Sequence, residues 1–403
     1  MMDIIFFFAL IFLFGLFSRR LSQSPITAQM VFSLTGILLG FIFALQVNQE
    51  LNRELFLLVA EVALVLVLFS DASGIDINTF RTNKLTLRML SIGLILTIIA
   101  GIIVGAYLLT DMVLWEVAAL AAVLAPTDAA LGQIVVQNKK LPYKIRETLE
   151  IESGLNDGIA VPFLFLFLAV GLAEEAFKPF NYFLITTLEQ IGFGVLIGLA
   201  VGLIGGWMVL QAKKKGWITK TYQRLALLSL AILSWLITDQ LGGSGFIAAF
   251  VGGFATGYIF EDAGDILTDF ASAEGMLLSL AVFFIMGALI APLISFVTWQ
   301  ILLYAVLSLT MIRMLPVAIS LIETKMSLDS VLFMGWFGPR GLASIVLALV
   351  ALEMIPEFPG KNTFVLTVLI TVLLSVILHG ITALPLSQLY IKRLQNQNDN
   401  IGK

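Results

Sequence analysis

The 403-residue chain contains no cysteine and a single histidine, His379. The first absence excludes disulfides, thiolate metal centres and cysteine nucleophiles. The second removes the material for a histidine-based metal site or catalytic triad. Charge is scarce as well: 12% of residues are Asp, Glu, Lys or Arg, against roughly 25% in a soluble domain. The formal net charge of −4 is small and argues against nucleic acid as a partner. Apolar residues fill the sequence instead, at 59% of the chain with a mean hydropathy of +1.01. That composition belongs to an all-α polytopic membrane protein whose surroundings are the lipid bilayer.

Apolar runs long enough to cross a bilayer, about 20 residues each, recur near 3–18, 26–46, 53–72, 86–109, 112–136, 146–172, 182–211, 222–239, 244–260, 267–290, 297–322, 329–352 and 361–389. They predict thirteen spans joined by short connections, with a short polar tail, "QNQNDNIGK", at the end. The first run has Asp3 before it and Arg19 and Arg20 after it. A secretory signal has the opposite polarity, so this run is read as a retained first helix. Loop charges orient the bundle. With the N-terminus outside, 18 of the 23 Lys and Arg residues fall in inner loops or the inner C-terminus, and only Arg53, Lys178 and Lys361 fall outside. The expectation is an inner or plasma membrane location with the C-terminus cytoplasmic.

The two remaining cations, Arg313 and Arg340, lie within spans. Ionisable groups in a membrane are expensive to expose to lipid and mark functional positions. Two spans are also interrupted. Span 5 contains "APTDAALG", with Pro126 beside Thr127 and Asp128, and span 12 contains "GWFGPRGLAS", with Pro339 and three glycines around Arg340. Proline removes a backbone donor and glycines loosen the helix. Spans 5 and 12 are an odd number apart, so they cross the membrane in opposite directions. Spans 4–6 and 11–13 then form corresponding triplets of an inverted repeat, each with a discontinuous helix in its middle. Paired broken helices of this kind point to the site of a secondary transporter. Unwound backbone leaves positive and negative half-helix ends inside the membrane, and Asp128 and Arg340 supply one compensating charge of each sign.

The stretch "IESGLNDGIAVP", from Ile151 to Pro162, puts Glu152, Asn156 and Asp157 inside span 6. At 1.5 Å per residue, Asp157 lies roughly 15 Å deep, near the midplane of the bilayer. A carboxylate there is stabilised by binding a proton or a cation, and can exchange one for the other. Ser153, at i−4, adds an oxygen on the same face; Asn156 and Thr127 offer further neutral oxygens of the kind hard monovalent cations take. Asp128 is a further candidate for the cation and proton site beside its role at the helix break. Glu152 lies only about 9 Å in by the same rise, within reach of the long Arg313 side chain. A Glu152–Arg313 ion pair is therefore expected between the two triplets. In span 3, Glu61 and Asp71 are each placed to face the ion path from the opposite side. Glu116 and Glu189 lie toward helix ends and read as interfacial; Glu274 is a weaker intramembrane candidate. The acidic stretch Glu261–Asp269 reads as a solvated turn. His379 reads as a satisfied structural residue, with pH sensing the alternative. The glycine face of "GFGVLIGLAVGLIGG" in span 7 suits close helix contact. No phosphate-binding glycine loop appears and no cofactor is implied, so the chain reads as neither an ATP-driven pump nor an enzyme.

Together these motifs resemble the monovalent cation:proton antiporter-1 family, the NhaP-type sodium/proton antiporters. "ESGLNDG" is similar to the family's Glu-Ser-x-x-Asn-Asp signature, "APTDAALG" to its Thr-Asp-Pro motif, "IRMLPV" to its conserved arginine before the second broken helix, and "GPRGLAS" to the second broken helix itself. One departure stands out: the family's proline after Thr-Asp is Ala129 here, and Pro126 precedes the pair. The resemblance implies that Asp157 binds the cation and the proton, with Ser153 and Thr127 as co-ligands. It implies that Asn156 marks electroneutral exchange, that Glu152 and Arg313 form a stabilising pair, and that the protein is a homodimer. It divides the chain into scaffold or dimerisation helices at 1–80 and 221–296, an ion-translocating core at 81–173 and 297–390, a linker helix at 174–220 and a cytoplasmic tail at 391–403. The expected activity is one-for-one exchange of Na⁺, or of Li⁺ or K⁺, for H⁺. A passive channel and an intramembrane aspartyl protease are the rival classes. The first lacks repeated pore loops, and the second lacks a Gly-x-Gly-Asp context around Asp128 and Asp157.

Overall fold

The computed structural model describes residues 2–21, 24–43, 51–75, 83–175, 180–270 and 275–401. Every regular element among them is helical, as the absence of alternating apolar–polar stretches requires. In chain order, the spans are α1 (Met2–Leu21), α2 (Ala28–Phe43), α3 (Leu51–Ser73), α4 (Lys84–Leu108), the halves α5a (Leu114–Leu124) and α5b (Ala129–Val136), α6 (Tyr143–Glu175) and α7 (Phe180–Lys214). They continue as α8 (Lys220–Gln240), α9 (Gly245–Ile259), α10 (Met276–Leu293), α11 (Trp299–Ser320), the halves α12a (Leu328–Trp336) and α12b (Leu342–Met354), and α13 (Lys361–Ile401). Thirteen spans result, two of them broken where Pro126 and the Gly338–Pro339–Arg340–Gly341 segment interrupt the helix.

Two boundaries differ from the sequence expectation. The tenth span begins at Met276, and the acidic stretch before it folds into a separate short helix, Ala263–Phe270. This helix is strongly amphipathic, with Ala263 and Leu267 buried and Lys213 paired to Asp262 just before it. The polar tail continues α13 through Ile401, since residues 395–401 include neither proline nor glycine. Glu274, Arg81, Lys178 and Lys403 lie outside the described residues.

The helices pack in two groups. α4, α5a, α6, α11, α12b and α13 contact one another, while α2 and α10 pair, and α3, α7, α8 and α9 pack together beside them. The groups meet where α7, α3 and α9 touch α6, where α3 and α10 touch α12b, and where α2 and α10 touch α13. Close approach of α7 to α9 depends on small residues: a Cβ on Gly202 would lie 2.4 Å from the Gly252 carbonyl oxygen, which is the small-residue packing used within membranes. α1 packs only its Phe7 and Phe14 side against Phe32 and Phe284. Its other side leaves Ile5, Phe8, Phe12 and Leu16 exposed, a surface suited to lipid.

Candidate ion-binding site

The two broken helices cross, and the crossing satisfies their loose ends reciprocally. A helix end leaves backbone groups without partners, and within a bilayer protein must supply them. Asp128 follows the α5 break and faces the N-termini of both second halves. Its Oδ1 accepts the Leu131 N–H of α5b at 3.1 Å, and its Oδ2 accepts the Leu342 N–H of α12b at 2.8 Å. Its own backbone N–H donates to the Pro339 carbonyl at 2.7 Å, joining the two breaks directly. One carboxylate thus sits at two positive helix ends. Gly341 is required here: a Cβ would lie 1.8 Å from Asp128 Oδ2.

Arg340 answers the opposite pole. Its Nη1 donates to the carbonyls of Ala125 and Pro126, at 3.0 and 3.1 Å, where α5a ends. The side chain is fully buried. Its charged neighbours are Arg313, Glu152 and Asp157.

α6 runs past this crossing and presents its polar stripe to it. Asn156 Nδ2 donates to Thr127 Oγ1 at 2.6 Å, and Thr127 Oγ1 lies 3.4 Å from Ser153 Oγ. Ser153 in turn donates to the Leu149 carbonyl. Thr127, Ser153, Asn156 and Asp157 are all buried. Among the described residues, Asp157 Oδ1 and Asn156 Oδ1 are buried oxygens without a hydrogen-bond partner. Buried polar atoms are almost always satisfied, so these two open acceptors on consecutive residues, with the unpartnered Nε and Nη2 of Arg340 also buried in the cluster, set this region apart.

Five residues earlier on the same helix, Glu152 is fully engaged. Both its oxygens meet Arg313 of α11, Oε1 to Nη1 at 2.6 Å and Oε2 to Nη2 at 2.7 Å. The side chains are 2% and 1% exposed, so this is a bidentate pair inside the protein.

Asp71 and Glu61 part company. Asp71 lies against α6, its Cβ 3.2 Å from where a Cβ on Gly154 would be, and it is among the carboxylates whose field reaches Asp157. Glu61 is ten residues, or about 15 Å, up the same helix. Its charged neighbours are Glu353 and Asp239, and it is not part of this cluster. Glu116 differs from its interfacial reading: it is completely buried and holds the Val113 and Gly360 N–H groups, each at 3.1 Å. A helix-terminal position along the chain coincides here with a contact beneath the loop that enters α13. Glu189 is exposed.

Ser375 is the one contributor to the crossing that sequence reading passed over. It accepts the Arg340 backbone N–H at 2.6 Å. A serine in an apolar span is common, and only its spacing of four from His379 hinted at a joint role.

The chain superposes on the sodium proton antiporter MjNhaP1 from Methanocaldococcus jannaschii with a TM-score of 0.80 at 22% identity, covering 97% of this chain and 99% of that one. That likeness establishes the fold. Among curated proteins, the K⁺/H⁺ antiporter NhaP2 of Shewanella sp. (strain ANA-3) is 24% identical over 326 residues, 80% of this chain and 56% of that protein. The K⁺/H⁺ antiporter NhaP of Alkalimonas amylolytica is 27% identical over 84% of this chain and 58% of its own length. The Na⁺/H⁺ antiporter NhaH of Halobacillus dabanensis is 26% identical over 77% of each chain. This chain therefore spans little more than half the length of the K⁺/H⁺ relatives it matches. Residues 6–389 match the transmembrane domain described as sodium/hydrogen exchanger, and by that match the chain belongs to the sodium/hydrogen exchanger family.

Proposed function

We propose that the protein exchanges a monovalent cation for H⁺ across a membrane, with Asp157 as the carboxylate that both ions share. The observation that carries this reading is the unpartnered, buried Oδ1 of Asp157 beside the free Asn156 amide oxygen. Ser153 lies one turn earlier on the same face of α6, and Thr127 is bonded to Asn156 and lies 3.4 Å from Ser153, so both are candidate neutral oxygens. Asp128 is fully occupied in holding the two breaks together, which favours a supporting role for it over direct coordination.

A desolvated carboxylate that must be neutralised takes a proton or a cation, and competition between them couples the two fluxes. Each adds one positive charge at Asp157, and its sequence neighbour Asn156 adds none. Exchange is then one-for-one and electroneutral, provided that Asp71 keeps a single protonation state through the cycle. An imposed membrane potential leaves the rate of such exchange unchanged, and a rate that follows voltage would contradict the stoichiometry alone.

Na⁺, Li⁺ and K⁺ all suit oxygen ligands. Two of the three curated relatives above carry K⁺/H⁺ in their names, which makes K⁺ the favoured cation and Na⁺ the second. The orientation proposed is N-terminus out and C-terminus in, following the Lys and Arg bias of the loops. The assembly proposed is a homodimer, following the family resemblance. The test is reconstitution into vesicles holding a pH-sensitive dye, with K⁺, Na⁺ and Li⁺ added in turn. Wild-type protein is expected to dissipate the pH gradient and Asp157→Asn to leave it intact. Equal rates for the two proteins would remove Asp157 from the mechanism.

A further inference from the structure

The break in α12 has a support that neither the ion site nor the crossing with α5 accounts for. α5 supplies partners for Pro339 and Leu342 through Asp128. Within the segment, the Gly338 N–H donates to the Trp336 carbonyl at 2.8 Å and the Gly338 carbonyl lies 3.4 Å from Arg340 Nη1; two further contacts come from α13. Ser375 Oγ accepts the Arg340 backbone N–H at 2.6 Å. His379, one turn further along the same face, sets Nε2 2.9 Å from the carbonyl of Trp336, the last residue of α12a. Its Nδ1 lies 3.2 Å from Ser375 Oγ.

Nε2 faces only the Trp336 carbonyl, which can only accept, whereas Nδ1 lies near both the Ser375 hydroxyl and, at 3.0 Å, the Ser375 carbonyl. With one proton on the ring, placing it on Nε2 and letting Nδ1 accept the hydroxyl is the assignment that gives both nitrogens a matching partner. A continuous chain follows. The Arg340 amide donates to Ser375, Ser375 donates to His379, and His379 donates to Trp336, so the chain runs from one lip of the break to the other. Ser375 and His379 are 0% and 1% exposed. The Trp336 indole is fixed as well, its ring 5.1 Å from the imidazole and its Nε1 donating to Thr382 of α13 at 3.0 Å. The charged side chains around the imidazole are Arg340 and Arg313.

We propose that His379, acting with Ser375, is a positioning residue for ion exchange: it pins both lips of the α12 break to α13. Arg340 is thereby held with its guanidinium on the Ala125 and Pro126 carbonyls, which fixes Thr127 and Asp128 beside Asp157. The role belongs to the neutral ring with its proton on Nε2. A second proton, on Nδ1, would turn to the Ser375 carbonyl 3.0 Å away and release the hydroxyl, which is a switch and not a brace. The inference rests on the exchange reading of the site above, and Asp157→Asn tests that reading separately.

The experiment compares wild type, His379→Ala, His379→Gln, Ser375→Ala and Asp157→Asn in the same dye-loaded vesicles, over a range of K⁺ and Na⁺ concentrations and of pH. His379→Ala and Ser375→Ala are expected to raise the half-saturating cation concentration about tenfold, the worth of a buried hydrogen bond. His379→Gln keeps an N–H for the Trp336 carbonyl. It is expected to return to within about threefold of wild type, with the same pH profile. Ser375→Ala removes a single hydroxyl and is the variant to read if His379→Ala gives no folded protein. Wild-type kinetics in both alanine variants would overturn the proposal. A displaced pH profile in His379→Gln would overturn it too, because the ring would then act by titrating. Exchange that survives in Asp157→Asn would instead strike the functional reading.

Discussion

Glu152 and Asp157 are buried carboxylates on one helix, five residues apart, and they are treated in opposite ways. Glu152 gives both oxygens to Arg313 in a bidentate pair that joins α6 to α11. Asp157 keeps a buried oxygen with no partner beside an equally free amide oxygen. The first arrangement holds its charge permanently and leaves nothing for an ion to take. The second leaves an acceptor open, which on the proposed function is where the proton or cation binds. The same residue class is thus fully paired or left with a free oxygen according to what the neighbouring helices offer it, and on the function proposed above the first is a strut and the second the exchange site.

The strongest way to break the comparison is to make the strut resemble the site. Arg313→Ala leaves Glu152 buried and alone, and removing one partner of such a pair costs about 3–5 kcal/mol. Little folded protein is expected by size-exclusion chromatography in detergent. Removing both charges, as Glu152→Gln with Arg313→Met, is expected to restore folding and to retain exchange, because a buried pair is often replaceable by neutral groups of similar volume. Loss of exchange in a well-folded double variant would place the pair in the mechanism.

A smaller effect is expected from disturbing the crossing. Gly341→Ala sets a methyl group against Asp128 Oδ2, at an approach of 1.8 Å that no side chain tolerates. The carboxylate must leave the α12b terminus, and exchange is expected to fall by about a hundredfold, in proportion to a lost charge-assisted bond of roughly 1.5–3 kcal/mol. Near wild-type rates would show that the Asp128 bridge is dispensable. The smallest effect belongs to Ser153→Ala, which removes one neutral oxygen beside Asp157. An increase of about tenfold or less in the half-saturating cation concentration is expected, with the maximal rate retained. An unchanged value would take Ser153 out of the ligand set.

The sequence carried the large features because membranes simplify the code. Apolar runs, loop cations and two proline-marked interruptions are enough to define thirteen spans and two broken ones. Charges stranded in apolar helices are conspicuous for the same reason, and Glu152, Asp157, Arg313, Arg340 and Asp128 all stood out. What could not be read were facts of rotation and neighbour. Asp71 and Glu61 share a helix and a composition, yet only Asp71 turns toward α6. Asp128 reads as a cap for its own half-helix, and its second bond, to Leu342, spans more than two hundred residues. Ser375 resembles any serine in an apolar helix until Arg340 is placed beside it. Glu116 shows the converse: its position along the chain suggests the interface, and a loop folded over it buries it completely.

The most direct measurement is proton release on cation binding by the purified protein in lightly buffered detergent. Adding K⁺ or Na⁺ to wild type is expected to displace about one proton per protein, since the ions compete for a single carboxylate. Asp157→Asn is expected to release none, and Ser153→Ala to release the same number at higher cation concentration. Undiminished proton release from Asp157→Asn would contradict the account, because the shared carboxylate would then lie elsewhere.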